Sequence, residues 1–156
     1  MKMNMGQRAH TVGAGGFGKV RMYYSNKFNR KVVEKIVGPN FLRCKEGNRA
    51  RLTTFINQYS EFEQMLKKET SFLMLMKTAN LDCCVEILGF EKKPFKIIME
   101  YCEGGDLRNL LDHYRLPLID KLYIITRILI AIERIHNLGV IHGDLKCSNI
   151  LLFWKF

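Results

Sequence analysis

The chain has 156 residues, 47% of them hydrophobic, which allows one buried core and argues against two domains. Charged residues make up 26%, as in ordinary soluble proteins. The formal charge of +10 fits attraction to nucleotide phosphates, nucleic acid or acidic lipid but selects none of them, because the basic residues are spread along the chain.

In chain order, the opening MKMNMGQRAH lacks the apolar run of a secretory signal. Residues 11–24 and 30–37 read as strands, with Ser25, Asn26 and Asn29 as turn-formers between them and β-branched residues in RKVVEKIV. Gly38 and Pro39 end the second strand, and the polar, basic stretch 38–58 reads as a loop or insertion with some helix. Residues 59–77 predict a helix, because Phe62, Met65, Leu66, Glu69, Leu73 and Met76 recur at spacings of three and four. Residues 84–90 and 95–102 predict two more strands. Gly104-Gly105 then breaks the chain, and Asp106 is placed to cap a short helix, DLRNLLDHY.

Residues 118–138 carry the clearest helical pattern. Leu118, Leu122, Ile125, Leu129 and Ile132 form one stripe; Ile124, Ile128 and Ile135 form a second. Two stripes predict neighbours on several sides. Short apolar runs, Val140-Ile141 and Ile150-Leu151-Leu152, then bracket a polar loop. Strands with one helix followed by helices predict an α+β fold with a small sheet lobe and a helical portion.

The segment GAGGFGKV admits three nucleotide-binding readings. A dinucleotide fingerprint (Gly13, Gly15, Gly18) and a P-loop (Gly13 to Lys19) both need a helix to start at the glycines, and the P-loop needs a hydroxyl after its lysine. Here KVRMYYS follows, which reads as a strand, and Val20 stands where the hydroxyl belongs. A glycine turn between two strands remains, either an ordinary hairpin or a flap whose backbone N–H groups close over phosphates. A flap wants a lysine on the next strand and a carboxylate to hold it; Lys35 in VVEK and Glu69 on the 59–77 helix are available. Taken alone, each reads more readily as a solvated residue.

The segment VIHGDLKCSNILL, residues 140–152, is more specific. Phosphoryl transfer needs a carboxylate near the attacking hydroxyl, a cation near the moving phosphate and an oxygen ligand for magnesium. Asp144, Lys146 and Asn149 supply all three between two anchoring apolar runs.

Taken in order, GAGGFGKV, VVEK, a helical glutamate, IIMEYCEGGDL and HGDLKCSNILL resemble a eukaryotic protein kinase from about Thr11 to Leu152. The lysine two residues after Asp144 is similar to serine/threonine kinases, and FKIIMEYCEGGDLRNLLD resembles the tyrosine-kinase-like group, including receptor-interacting kinases and mixed-lineage-kinase-like pseudokinases. The resemblance implies one protein-kinase-like domain over 1–156. Its N-lobe and hinge, at about 11–102, would hold a small antiparallel sheet and one αC-type helix; 103–156 would begin the helical C-lobe. It implies ATP and Mg2+ as cofactors. Val12, Gly13, Gly15, Gly16, Phe17 and Gly18 would form the flap, and Val20, Val33 and Leu151 would line the nucleotide site. Lys35, paired with Glu69, would hold the α- and β-phosphates. Met99 would sit behind the adenine, with Glu100 to Cys102 as the hinge. Asp144 would orient the substrate hydroxyl, Lys146 would contact the γ-phosphate, and Asn149 would bind magnesium.

Four departures from the family pattern carry expectations. Gly143 replaces the arginine of H-R-D, which argues against activation through a phosphorylated loop. Val33 replaces an alanine beside the adenine. Lys35 and Glu69 are further apart than usual, with the basic segment 38–58 absorbing the difference as a candidate contact surface. The sequence given stops at Phe156, before the family's D-F-G and activation segment, so weak or absent phosphotransfer is expected from this stretch alone. The 118–138 helix would then need another neighbour, such as a full-length kinase or adaptor on which a non-catalytic, pseudokinase-like module docks. Five cysteines with no C-x-x-C pair argue against a disulfide framework or zinc site and for a reducing, cytoplasmic compartment. No apolar run is long enough to cross a bilayer, and no nucleic-acid motif accompanies the positive charge.

Overall fold

A computed structural model describes residues 10–15, 18–36, 49–92 and 95–153. Five strands form one antiparallel sheet: β1 (His10–Gly15), β2 (Gly18–Ser25), β3 (Arg30–Ile36), β4 (Ile87–Lys92) and β5 (Phe95–Glu100), in the order β1-β2-β3-β5-β4. Three α-helices accompany it: α1 (Arg49–Thr78), α2 (Leu107–His113) and α3 (Leu118–His136). The chain divides into two units. The described parts of Met1–Thr78 and Glu86–Tyr101 make the sheet unit; those of Ala79–Val85 and Cys102–Phe156 make the helical unit.

In the sheet unit, the turn between β2 and β3 follows from its asparagines. Asn29 has φ +50, a left-handed conformation that asparagine tolerates, and its Oδ1 accepts a 2.6 Å hydrogen bond from the Tyr24 hydroxyl. Cross-strand register puts Val20 opposite Lys35 and Lys35 opposite Ile97; Met22 faces Val33, and Val33 faces Met99. Directly paired residues share a sheet face, so Val20, Val33, Lys35, Ile97 and Met99 lie together. This face meets α1. Leu66 and Leu73 pack with Ile87, Phe95 and Ile97 as the buried cluster, and Phe62, Phe72 and Met99 pack against it.

α1 begins at Arg49, ten residues before the helix predicted at 59, and its 30 residues span about 45 Å. The early turns are polar and poorly periodic, so the apolar spacing marks only the part that packs. Leu66, Thr70 and Leu73 are buried at helical intervals, and Thr70 Oγ1 donates to the Leu66 carbonyl at 2.7 Å. Residues 38–48 of the expected insertion, and residue 37 of the predicted strand before it, lie outside the described residues. β4 starts at Ile87, three residues later than the predicted strand, because Ala79–Val85 belongs to the helical unit.

In the helical unit, Asp106 caps α2 as expected: its Oδ1 accepts from the Asn109 N–H at 2.8 Å. α3 ends at His136, and just beyond it Gly139, whose φ of +71 suits glycine, donates its N–H to the His136 carbonyl at 2.8 Å. Its two stripes behave differently. Ile124, Ile128 and Ile132 are half-buried and Ile135 is buried, whereas Leu118, Leu122, Ile125 and Leu129 are exposed. The expectation of neighbours on several sides therefore holds for the second stripe and for Ile132, the last residue of the first. The segment before β4 supplies part of that neighbour: Asp82 pairs with Arg134, and the Cys83 thiol donates to the Ala131 carbonyl at 4.0 Å.

Candidate functional site

The glycine hairpin is built as β1 and β2. Gly13 pairs with Val20 and Gly15 with Gly18, and the register shifts between Thr11 and Gly13. Val12, at that irregularity, is exposed and Val20 is half-buried. Gly16 and Phe17, expected in the flap, lie outside the described residues. The strand that follows Gly18 is the reason the dinucleotide and P-loop readings fail: no helix starts there to receive a phosphate.

Lys35 projects from the centre of β3, between Val20 on β2 and Ile97 on β5. Its Nζ donates to Glu69 Oε2 at 2.6 Å. Glu69 lies on α1 between buried Leu66 and Leu73, so the packing that seats the helix also aims the carboxylate. Each side chain of the pair is about one-third exposed, which leaves the ammonium able to meet a further anion. Val33 and Met99 share the sheet face with Lys35, both half-buried, with Met99 against the core cluster.

Glu100 closes β5 and is tied to the entry of β4. Its Oε1 accepts from the Glu86 N–H at 2.8 Å, and its own N–H donates to the Glu86 carbonyl at 3.0 Å. Tyr101 lies under the Lys31 ammonium, 5.9 Å from the ring centre. Cys102, at 9% exposure, opens the helical unit, and its carbonyl accepts from Gly105 N–H at 3.2 Å.

The loop 140–152 is organised around Asp144. The Asn149 side-chain amide donates to both the backbone oxygen and Oδ2 of Asp144, each at 2.9 Å, and Lys146 Nζ meets the same Oδ2 at 2.9 Å. Hydrogen bonding from Lys146, then from Asn149, holds the Asp144 carboxyl below the usual carboxylate range despite its exposure. Gly143 has φ +75, and beyond it the Asp144 N–H donates to His142 Nδ1 at 3.3 Å. A single turn of 3-10 helix, Cys147–Asn149, brings Asn149 back toward Asp144.

This loop is anchored by contacts that sequence reasoning missed. Gly104 N–H donates to the Leu152 carbonyl at 3.0 Å, Leu152 N–H to Gly105 at 2.8 Å, and Leu107 N–H to Ile150 at 2.8 Å. Asp106 and Leu151 form the bridge at the centre of this short ladder, with Leu151 still exposed. In the sequence Gly104-Gly105 reads only as a break; Gly105, at φ +68, makes the turn the ladder needs. Lys35 with Glu69 belongs to the sheet unit, and Asp144, Lys146 and Asn149 to the helical unit; each group is preformed within its own unit.

An antiparallel five-stranded sheet with one long helix, followed by helices and a polar loop, is a protein-kinase-like fold. The crystal structure of Rad53 1-466 in complex with AMP-PNP shares it, with a TM-score of 0.62 and 24% identity, covering 94% of this chain and 34% of that one. The chain belongs to the protein kinase domain family, whose model matches residues 7–155. It is similar to the CBL-interacting serine/threonine-protein kinase 21 of Arabidopsis thaliana, 29% identical over 142 residues. It is also similar to the probable serine/threonine-protein kinase KCC4 of Saccharomyces cerevisiae, 28% identical over 143 residues. These alignments cover 91% of this chain but 30% and 13% of the two relatives, so the chain spans less than a third of either.

Proposed function

We propose that this chain carries the ATP-binding part of a serine/threonine-type protein kinase domain, whose chemistry is transfer of the γ-phosphate to a protein hydroxyl. The observation that carries the reading is the 2.6 Å pair between Lys35 and Glu69, two residues far apart in sequence. A lysine so fixed is a point charge ready for the α- and β-phosphates, while Val12, Gly13, Gly15, Gly16, Phe17 and Gly18 cover them with backbone N–H groups. On the sheet unit, Val20, Val33 and Met99 are the residues proposed to meet the adenine, with the backbone from the end of β5, Glu100 to Cys102, as the hinge; Leu151 is carried by the helical unit. Asp144 orients the acceptor hydroxyl; its depressed pKa keeps it an acceptor near neutral pH. Lys146 balances charge on the γ-phosphate. Bound Mg2+ would neutralise charge on the phosphates, with the Asn149 side-chain oxygen as one ligand. Magnesium favours one or two carboxylates besides phosphate oxygens, so these residues support nucleotide binding, and turnover depends on a further carboxylate.

The test is ATP with magnesium titrated into the purified chain, read as a rise in Tm by mass action and as heat of binding. Lys35→Met should weaken binding about ten-fold or more, as expected for loss of a charge-assisted contact, without changing the ligand-free Tm by more than a few degrees. No ATP-dependent shift in the native chain, or the same shift in Lys35→Met, would refute the reading.

A second reading has its own observation. Leu118, Leu122, Ile125 and Leu129 make an exposed apolar stripe on α3, which favours a non-catalytic module that docks on a full-length kinase or adaptor. The expected signs are binding of a hydrophobic dye and self-association on size exclusion, both reduced by Leu122→Glu with Leu129→Glu. A dye-silent monomer eliminates this reading. Free thiols at Cys83, Cys84 and Cys147 suit a reducing compartment such as the cytoplasm. Among the described residues, no helix is long and apolar enough to cross a membrane.

A further inference from the structure

β5 ends at Glu100, and the chain re-enters the sheet unit at Glu86, just before β4. These two residues continue the β4–β5 register, since Ile87 pairs with Met99 one step further in. In an antiparallel ladder a hydrogen-bonded pair exchanges two bonds, each N–H going to the other residue's carbonyl. Half of that exchange is made: Glu100 N–H donates to the Glu86 carbonyl at 3.0 Å. The other half is diverted. Glu86 N–H donates to the side-chain Oε1 of Glu100 at 2.8 Å, where a continued ladder would send it to the Glu100 main-chain oxygen.

Charge favours the diversion, because an ionised carboxylate is a stronger acceptor than a peptide carbonyl. Glu86 is also held in place for it. Arg30 Nη2 meets Glu86 Oε2 at 2.6 Å, and Lys77 Nζ meets Glu86 Oε1 at 3.2 Å while donating to the Ile87 carbonyl at 2.9 Å. The start of β3, the last turn of α1 and the end of β5 are thus all tied to one residue ahead of β4. On a strand, the N–H and C=O of one residue point to the same side. The Glu100 N–H points at Glu86, so the Glu100 carbonyl faces that side too, and away from Val32, its partner on β3. The donor that would close on this carbonyl is the one its own side chain has taken.

We propose that the Glu100 carboxylate is a positioning residue for the nucleotide base: it ends the β4–β5 ladder by taking the Glu86 N–H, and so keeps the Glu100 main-chain carbonyl open to a donor on the ligand, the exocyclic amine of adenine. The proposal rests on the nucleotide-binding reading above and adds a role for a side chain that itself touches no ligand. Without the carboxylate, the Glu86 N–H is close enough to turn to the Glu100 carbonyl, and the ladder competes with the base for the same acceptor.

The test pairs ATP with purine riboside triphosphate, which carries the same phosphates and lacks the amine, both titrated with magnesium by calorimetry. One net hydrogen bond should make ATP about five-fold the tighter ligand of the native chain. Glu100→Gln keeps an acceptor oxygen and should keep most of that preference, whereas Glu100→Ala should bring the two affinities to about the same value. A merely structural role would weaken both ligands alike and leave their ratio unchanged. If Glu100→Ala keeps the native ratio, the proposal falls and the nucleotide reading stands; if the native chain binds neither ligand, both fall. A measurement on the native chain alone guards against misfolding of the variants. NMR couplings across hydrogen bonds should link the Glu86 amide nitrogen to the Glu100 side-chain carboxyl carbon. A coupling to the Glu100 main-chain carbonyl carbon instead would overturn the proposal with no nucleotide present.

Discussion

Single residues in this chain owe their behaviour to one or two partners. Asp144 is exposed, yet hydrogen bonds from Lys146 and Asn149 lower its pKa. Lys146→Met should raise the Asp144 pKa toward the ordinary value of about 3.9, as followed by carboxyl NMR through an acid titration. An unchanged titration would mean that the 2.9 Å contact does not persist in solution. Glu86 is held low mainly by the Arg30 hydrogen bond at 2.6 Å, with burial opposing and Lys77 adding to the effect. A carboxyl lowered by folding contributes its stability above the unfolded pKa, about 4.3 for glutamate, and loses it as pH falls through the folded value. Wild-type stability in urea should therefore fall more steeply below about pH 5 than that of Glu86→Gln. The difference should stay below ~1 kcal/mol, because both side chains are roughly 40% exposed. Parallel acid limbs would show that Arg30 gains nothing from the charge.

At the scale of elements, α1 is a helix with one working face. Leu73 is 7% exposed within the buried cluster, whereas Leu75 is 43% exposed. Leu73→Ala should cost about 2–5 kcal/mol of stability, and Leu75→Ala no more than ~0.5 kcal/mol. Denaturant midpoints at constant slope would measure both; equal losses would mean that the helix has rotated on the sheet.

The same contrast explains what could be read from the chain in advance. Leu66, Leu73 and Met76 announced the packed part of α1, because burial imposes helical spacing. The turns over residues 49–58 carry no such signature, so the apolar spacing marks a start ten residues after the true one. Asp106 was legible because its cap is local, reaching only to Asn109. The pairing of Lys35 with Glu69 is legible as a demand of the flap reading and is sharpened by the family resemblance, since each residue alone reads as solvated. The Asp106–Leu151 bridge and the Asp82–Arg134 pair join distant segments, and no local pattern encodes them.

For the molecule as a whole, buried apolar side chains are unevenly shared. Val32, Ile36, Leu66, Leu73, Met76, Ile87, Phe95, Ile97 and Ile98 are buried in the sheet unit. The buried hydrophobics of the helical unit among the described residues are Cys102, Leu107 and Ile135. Burial of a large aliphatic side chain is worth about 1.5–3 kcal/mol, so this imbalance is large compared with the net stability of a domain. The helical unit should open in sub-global steps while the sheet unit stays closed. Native-state hydrogen exchange makes this measurable. Amides of β3 and β5 should exchange only with global unfolding, and those of α3 at least about 100-fold faster, near 2.7 kcal/mol lower in opening free energy. The half-buried Ile124, Ile128 and Ile132 should not close that gap, since the exposed Leu118, Leu122, Ile125 and Leu129 gain nothing from the helix remaining docked. If α3 amides instead match β5 in protection, the helical unit has cooperative support that its buried side chains do not supply, and the exposed stripe is covered in solution.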